Sequence, residues 1–222
     1  MAKVNGRAHY DKEEPEVLYV YDALCGWCFG FNDVIKKLKE AYGNKVSFLV
    51  LSGGMVRGEE ITPICQMADF IRHAYPQVEI TTGVKFGKEF LNGLLDREDV
   101  LLTSIPPAKA MAVFRIEKRG ECVEFAARIQ QAFYYEGMRM DEPQTWHTLA
   151  DEFGLDPEKF VQRMESDEIA RIIDNEFRMI KGMGVNGFPS VVLRKGEKMH
   201  ILTRGFCDYN TLSQALDQAL KS

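Results

Sequence analysis

Cys25 and Cys28, separated only by Gly26 and Trp27, are the residues of this 222-residue chain whose types and spacing could do chemistry. Such a pair can exchange disulfides, one thiolate attacking and the other resolving, or it can supply half of a tetrahedral zinc site. A zinc site would want a second close pair of ligands. Cys65, Cys122 and Cys207 stand alone, and His9, His73, His147 and His200 have no ligand-like spacing to one another. The pattern therefore favours thiol chemistry over metal.

The pair needs elements to hold it. Val17 to Tyr21 are β-branched, aromatic or leucine, the composition of a buried strand, and Val34, Ile35, Leu38 and Tyr42 follow at helical spacing. Strand, turn, helix puts Cys25 at or just before a first helical turn, where free N–H groups and the positive end of the macrodipole favour a thiolate. Cys28, one turn further in, is shielded. This asymmetry makes Cys25 the attacking thiol and Cys28 the resolving one. Gly26 lets the backbone turn tightly beside the sulfur. Trp27 can contact apolar substrate, or only shield the helix face.

A second stretch lies far downstream: Gly187-Phe188-Pro189-Ser190, opening the strand-like Val191-Val192-Leu193. Together with Cys25-Gly26-Trp27-Cys28 on a strand-to-helix turn, it resembles the thioredoxin superfamily, and within it the DsbA-like branch. Asp22-Ala23-Leu24-Cys25 and Gly53-Gly54 extend the similarity to DsbA-like protein-disulfide isomerases of the FrnE-like group. The resemblance implies a cis Pro189 facing the cysteines and a Phe188 backbone that pairs with extended substrate. Relatives with His between the cysteines can place a cation by the thiolate, which Trp27 cannot. A more reducing couple than theirs is expected.

Composition sets the bounds. The chain is 45% hydrophobic, enough for a substantial core, and its net charge of −5 gives no footprint for nucleic acid. There is no basic run to hold a membrane surface and no apolar stretch long enough to span one. Residues 1–14 are polar, lack the apolar segment of a secretory signal, and are expected to be disordered. Five cysteines, an odd number, argue against a disulfide-stapled secreted scaffold, so the expected compartment is the cytoplasm. There a glutathione poise would keep a high-potential pair reduced, which suits a reductase or isomerase.

Along the chain, Lys45 to Leu51 reads as a second buried strand. Roughly Glu60 to Glu165 carries helical patterns and no strand. One helix is expected from Ile61 to Tyr75, stopping before Pro76, and another over Phe86 to Leu95. Pro106-Pro107 begins the next, a strong amphipathic helix follows Gly120, and Pro143 to Phe153 forms one more. Asp156-Pro157-Glu158 is a helix start, and Asp167 is expected to cap the helix that follows. Ser190 to Thr203 reads as a hairpin, and Asp208 caps a final helix. The order is that of an α/β thioredoxin fold with a large all-helical insertion. The expected domains are 15–58 plus 166–222 for the thioredoxin unit and 59–165 for the insertion.

The remaining candidates have plainer readings beside the functional ones. Asp22, if buried by the pair, would oppose thiolate formation or relay a proton; solvent exposure or capping is the alternative. Phe29, Phe31 and Met183 can rim a groove, though core packing fits each better. The function expected is thiol-disulfide exchange on protein or small-molecule thiols and disulfides, with a recycling thiol redox partner, no bound cofactor, and glutathione as a possible co-substrate. Glutathione-using transferases and isomerases of this fold are an alternative, which Cys28 opposes. A non-catalytic, chaperone-like binding module is another.

Overall fold

The computed structural model describes residues 14–222. The expectation for the N-terminal stretch, and His9 with it, therefore lies almost wholly outside the described residues.

Strand β1 (Glu16–Tyr21) leads into helix α1 (Gly26–Tyr42), and β2 (Ser47–Ser52) returns parallel to β1. After the inserted helices, β5 (Ser190–Lys195) pairs antiparallel with β1, and β6 (Lys198–Arg204) completes a hairpin, giving the sheet order β2-β1-β5-β6. Alternation of side chains decides which face each residue serves. Val17, Tyr19, Tyr21, Val50, Val191 and Leu193 enter the main core with α1 and the helix α9 (Tyr209–Lys221), while Leu18, Val20, Leu49, Leu51 and Val192 meet Ile180 and Val185 on the other side. With both faces covered, the strands read as continuous apolar runs.

Between β2 and β5 lie α2 (Ala68–Thr82), α3 (Lys88–Leu91), α4 (Ile105–Glu117), α5 (Cys122–Tyr134), α6 (Pro143–Glu152), α7 (Pro157–Met164) and α8 (Asp167–Gly182). Their apolar stripes share one cluster with the sheet, from Tyr19 through Phe86 and Phe90 to Phe133 and Ile173. No described helix is long and apolar enough to cross a membrane.

Several local expectations give way to packing. The helix expected over Ile61–Tyr75 forms only from Ala68: Ile64–Met67 is a 3-10 turn, and α2 does not stop before Pro76 but runs through it to Thr82. An interior proline costs about 3 kcal/mol. Val78, two residues on, is buried in the core and Tyr75, just before, packs half-buried against it, contacts that work against that cost. The Phe86–Leu95 helix is broken at Gly93 into α3 and a 3-10 turn, Leu94–Asp96. The insertion is also not strand-free, since β3 (Thr62–Pro63) and β4 (Leu101–Leu102) form a small antiparallel pair. Ser166, not Asp167, caps α8, its hydroxyl accepting from Ile169 N. Asp156 and Asp208 cap α7 and α9 through their carboxylates.

One buried ion pair ties the insertion to the sheet. Glu176 on α8, 5% exposed, accepts from Ser52 N at 2.6 Å and from the Arg115 guanidinium, which also donates to Val50 O at 2.8 Å. Removing one partner strands a buried charge. Glu176→Ala is expected to destabilise the protein by about 3–5 kcal/mol in urea denaturation. A loss below about 1 kcal/mol would show the pair to be solvated like an ordinary surface bridge.

Candidate active site

The turn after β1 delivers Cys25 to the N-cap position of α1, in extended conformation (φ −93°, ψ 109°). Its carbonyl accepts from Cys28 N and Phe29 N at 3.0 and 3.1 Å, so the helix starts on the cysteine itself. Cys25 is 7% exposed and Cys28 0%, and both are free thiols. A hydrogen bond from the Cys28 thiol pulls Cys25 below the ordinary thiol pKa, against the opposing effect of burial. Cys28 moves the other way: burial pushes it up, and the bond to Cys25 and that sulfur's charge add to the rise. The two thiols thus differ in access and acidity, in the sense their helical positions require.

The downstream stretch reaches the same place. The Phe188–Pro189 peptide is cis, and the Cys25 thiol donates to Phe188 O at 3.5 Å across 163 residues of sequence. Gly53, at the exit of β2, makes room for this loop: a Cβ there would sit 2.1 Å from the Phe188 ring. The neighbouring Gly54 has φ +68°, a left-handed conformation that glycine adopts without strain. The Gly53-Gly54 pair is therefore part of the site's frame.

Cys25 opens onto an apolar cleft of 290 Å³ whose walls include Gly26, Trp27, Met55, Phe70, Tyr75 and Tyr134. Trp27 is 36% exposed there and its ring stands 6.1 Å from that of Phe206, while Phe70 on α2 is 66% exposed. Among the residues forming this cleft there is no Asp, Glu, Lys or Arg. A larger polar cleft of 650 Å³, with Asn32, Lys36 and Arg128 in its walls, has neither sulfur in its lining. Phe29 and Phe31 are buried in the core rather than rimming the thiol cleft, and Met183 packs against the smaller cluster beneath α8.

Asp22 is 1% exposed, so the exposed reading fails. Its carboxylate accepts from Leu24 N at 3.0 Å, Met55 N at 2.7 Å and the Ser104 hydroxyl at 2.9 Å. Burial pushes the carboxyl up, and these hydrogen bonds pull against it. Its negative charge also opposes the Cys25 thiolate.

Ser104 and Gln130 were not singled out by the sequence. Ser104, at the start of α4, reads as an ordinary cap, yet its hydroxyl goes to Asp22. Gln130 stands four residues after Ala126 and three before Phe133, a polar residue on the apolar stripe of α5, and that misfit was the available signal. Cys65, Cys122 and Cys207 take no part in the thiol centre: Cys122, the first residue of α5, is buried in the core, and burial raises its pKa to about 11.

A dithiol at the head of a helix, a proline loop folded against it, and a sheet interrupted by helices make this a DsbA-like thiol-disulfide oxidoreductase. The chain belongs to the thioredoxin family, whose profile matches residues 18–214. A candidate protein disulfide isomerase from Nitrosomonas europaea superposes with a TM-score of 0.82 at 25% identity, covering 94% of this chain and 98% of that one. The cytosolic disulfide reductase DsbM from Pseudomonas aeruginosa, also solved with GSH, gives 0.79 at 25% identity over 93% of this chain and 98% of its own. The ClpXP adapter protein SpxH of Halalkalibacterium halodurans is 22% identical, over 94% of this chain and 69% of that protein.

Proposed function

We propose that the protein is a disulfide reductase or isomerase in which Cys25 attacks and Cys28 resolves, acting in the cytoplasm on polypeptide disulfides flanked by apolar side chains. The observation that carries the reading is the split between the two sulfurs: one lowered in pKa at the end of an apolar cleft, the other wholly buried behind it. In the first step the Cys25 thiolate forms a mixed disulfide and expels one substrate sulfur as thiolate. Cys28 then loses its proton and attacks the Cys25 sulfur, releasing the second substrate sulfur and leaving a Cys25–Cys28 disulfide. Two electrons from a thiol reductant, such as two glutathione molecules, restore the dithiol.

Direction follows from which form the site stabilises. A couple becomes oxidising when its reduced thiolate is strongly favoured. Here the residues between the cysteines bring no cation to add to the lowering of Cys25, and the buried Asp22 works against it, which supports a couple more reducing than that of relatives with His between the cysteines. The cytosolic reductase from Pseudomonas, with its glutathione-bound form, supports both compartment and co-substrate.

The cleft supports the choice of substrate. Pro189 shapes the loop, Phe188 offers its backbone to an extended chain, and Gly26 and Trp27 form the near wall. Glutathione carries two carboxylates and an ammonium that the uncharged cleft does not match, so it serves better as recycling reductant than as cleft ligand. Phe70→Asp is expected to lower kcat/KM for a disulfide peptide with aromatic flanks about tenfold, and to change that for oxidised glutathione by less than about twofold. Equal losses on both substrates would overturn the assignment of the cleft. The adapters among the relatives raise a binding role without catalysis, which predicts that the protein's main activity survives Cys25→Ala.

A further inference from the structure

Gln130 is fully buried on α5, inside the insertion, and its Nε2 donates to the carbonyls of both Asp22 and Cys25, at 3.1 and 3.3 Å. The amide orientation is forced, because the opposite one would point Oε1 at two carbonyl oxygens. Neither carbonyl depends on it: Asp22 O already accepts from Cys25 N at 3.1 Å, and Cys25 O from Cys28 N and Phe29 N. Meanwhile Gln130 Oε1 is buried with no partner among the described residues. An unpaired buried acceptor is destabilising, and the surrounding stripe of Ala126, Ile129 and Phe133 would suit an apolar side chain better. Stability alone does not account for an amide here.

We propose that Gln130 is a positioning residue for the attacking thiol, holding the Asp22 and Cys25 carbonyls so that the turn beneath the sulfur keeps one shape through the exchange, at a cost to stability. The inference rests on Cys25 being the attacking thiol. It makes the insertion a working part of the thiol centre as well as a wall of the cleft. The two donated hydrogens also offset the negative ends of carbonyls lying beneath the sulfur, an effect in the same direction as the helix start. The titratable groups that act on Cys25 are Cys28 on α1 and Asp22 in the turn, while Tyr19 on β1 and Tyr134 on α5 face it as neutral phenols whose own pKa values its charge helps to raise. A change at Gln130 leaves all four in place.

Gln130→Met, close in length and without donors, tests this, with Gln130→Leu as a second apolar replacement. Expected are an unchanged or higher Tm, Cys25 alkylation about fivefold to tenfold slower at pH 7 with its pH midpoint moved up, and a lower kcat with little change in KM for a disulfide peptide. Wild-type alkylation and kcat in both variants would overturn the positioning role. A Tm lowered by more than about 5 °C in both, or failure of both to fold, would overturn the claim that the amide is kept against stability. Exchange retained in Cys25→Ser would instead overturn the role given to Cys25, a separate failure read in a separate protein.

Discussion

Cys25→Ser is expected to lower disulfide reduction by about three orders of magnitude, and Cys28→Ser to leave substrates covalently attached to Cys25. The reason is positional. Cys25 is the sulfur that lines the cleft, whereas Cys28 is fully buried and can reach only a disulfide already formed on its neighbour. Without Cys28 the mixed disulfide has no internal thiol to resolve it, so it persists until an outside thiol attacks. Non-reducing gels followed by mass spectrometry of the attached chains would read this directly. Adducts that form equally well in Cys25→Ser, held on Cys28, would reverse the two roles. The trapped chains also test the cleft, because disulfides flanked by apolar residues should predominate over glutathione adducts.

The second large effect is the difference in reactivity between the two thiols of the reduced protein. At pH 7 iodoacetamide should modify Cys25 at least about a hundredfold faster than Cys28, since one pKa is lowered and the other raised, and the second sulfur is also out of reach. The sign with pH follows from the shifts. Cys25 reactivity rises as pH climbs toward its lowered pKa and levels off above it, so the midpoint falls below that of an unperturbed cysteine. Cys28 stays protonated across that window. In Asp22→Asn the opposing charge disappears and the Cys25 midpoint moves further down. That variant also leaves one of Leu24 N and Met55 N facing an amide N–H, because an amide has only one acceptor oxygen for donors that meet both carboxylate oxygens. A midpoint that rises in Asp22→Asn would show that holding the turn matters more to Cys25 than removing the charge.

Much of the centre could be read from the chain because it is encoded locally. Cys25 and Cys28 share one helical turn, and the apolar run Val17–Tyr21 fixes where that turn must lie. Pro189 ahead of Val191-Val192-Leu193 marks the second half, but only the resemblance linked it to the first. Helix starts at Asp156 and Asp208 were equally legible, since a cap acts within three residues. At Ser166 and Asp167 two adjacent residues could each cap, and only the folded backbone chose the serine. Pro76 shows the limit from the other side: a local rule worth about 3 kcal/mol was overruled by contacts that no short window contains.

What the sequence by itself determined is therefore the chemistry available: a pair of thiols at a helix start, a proline loop, and enough apolar residues to bury them. The tertiary structure alone decided how that chemistry is tuned and what it meets. It buried Asp22 and surrounded it with donors from three segments, brought Ser104 and Gln130 from the insertion to the turn, and opened an uncharged cleft between Trp27 and Phe70. The physical reason is range. A hydrogen bond or a desolvated charge depends on atoms a few ångströms away in space, and here the donors at Met55, Ser104 and Gln130 lie from about thirty to more than one hundred residues from Asp22 along the chain.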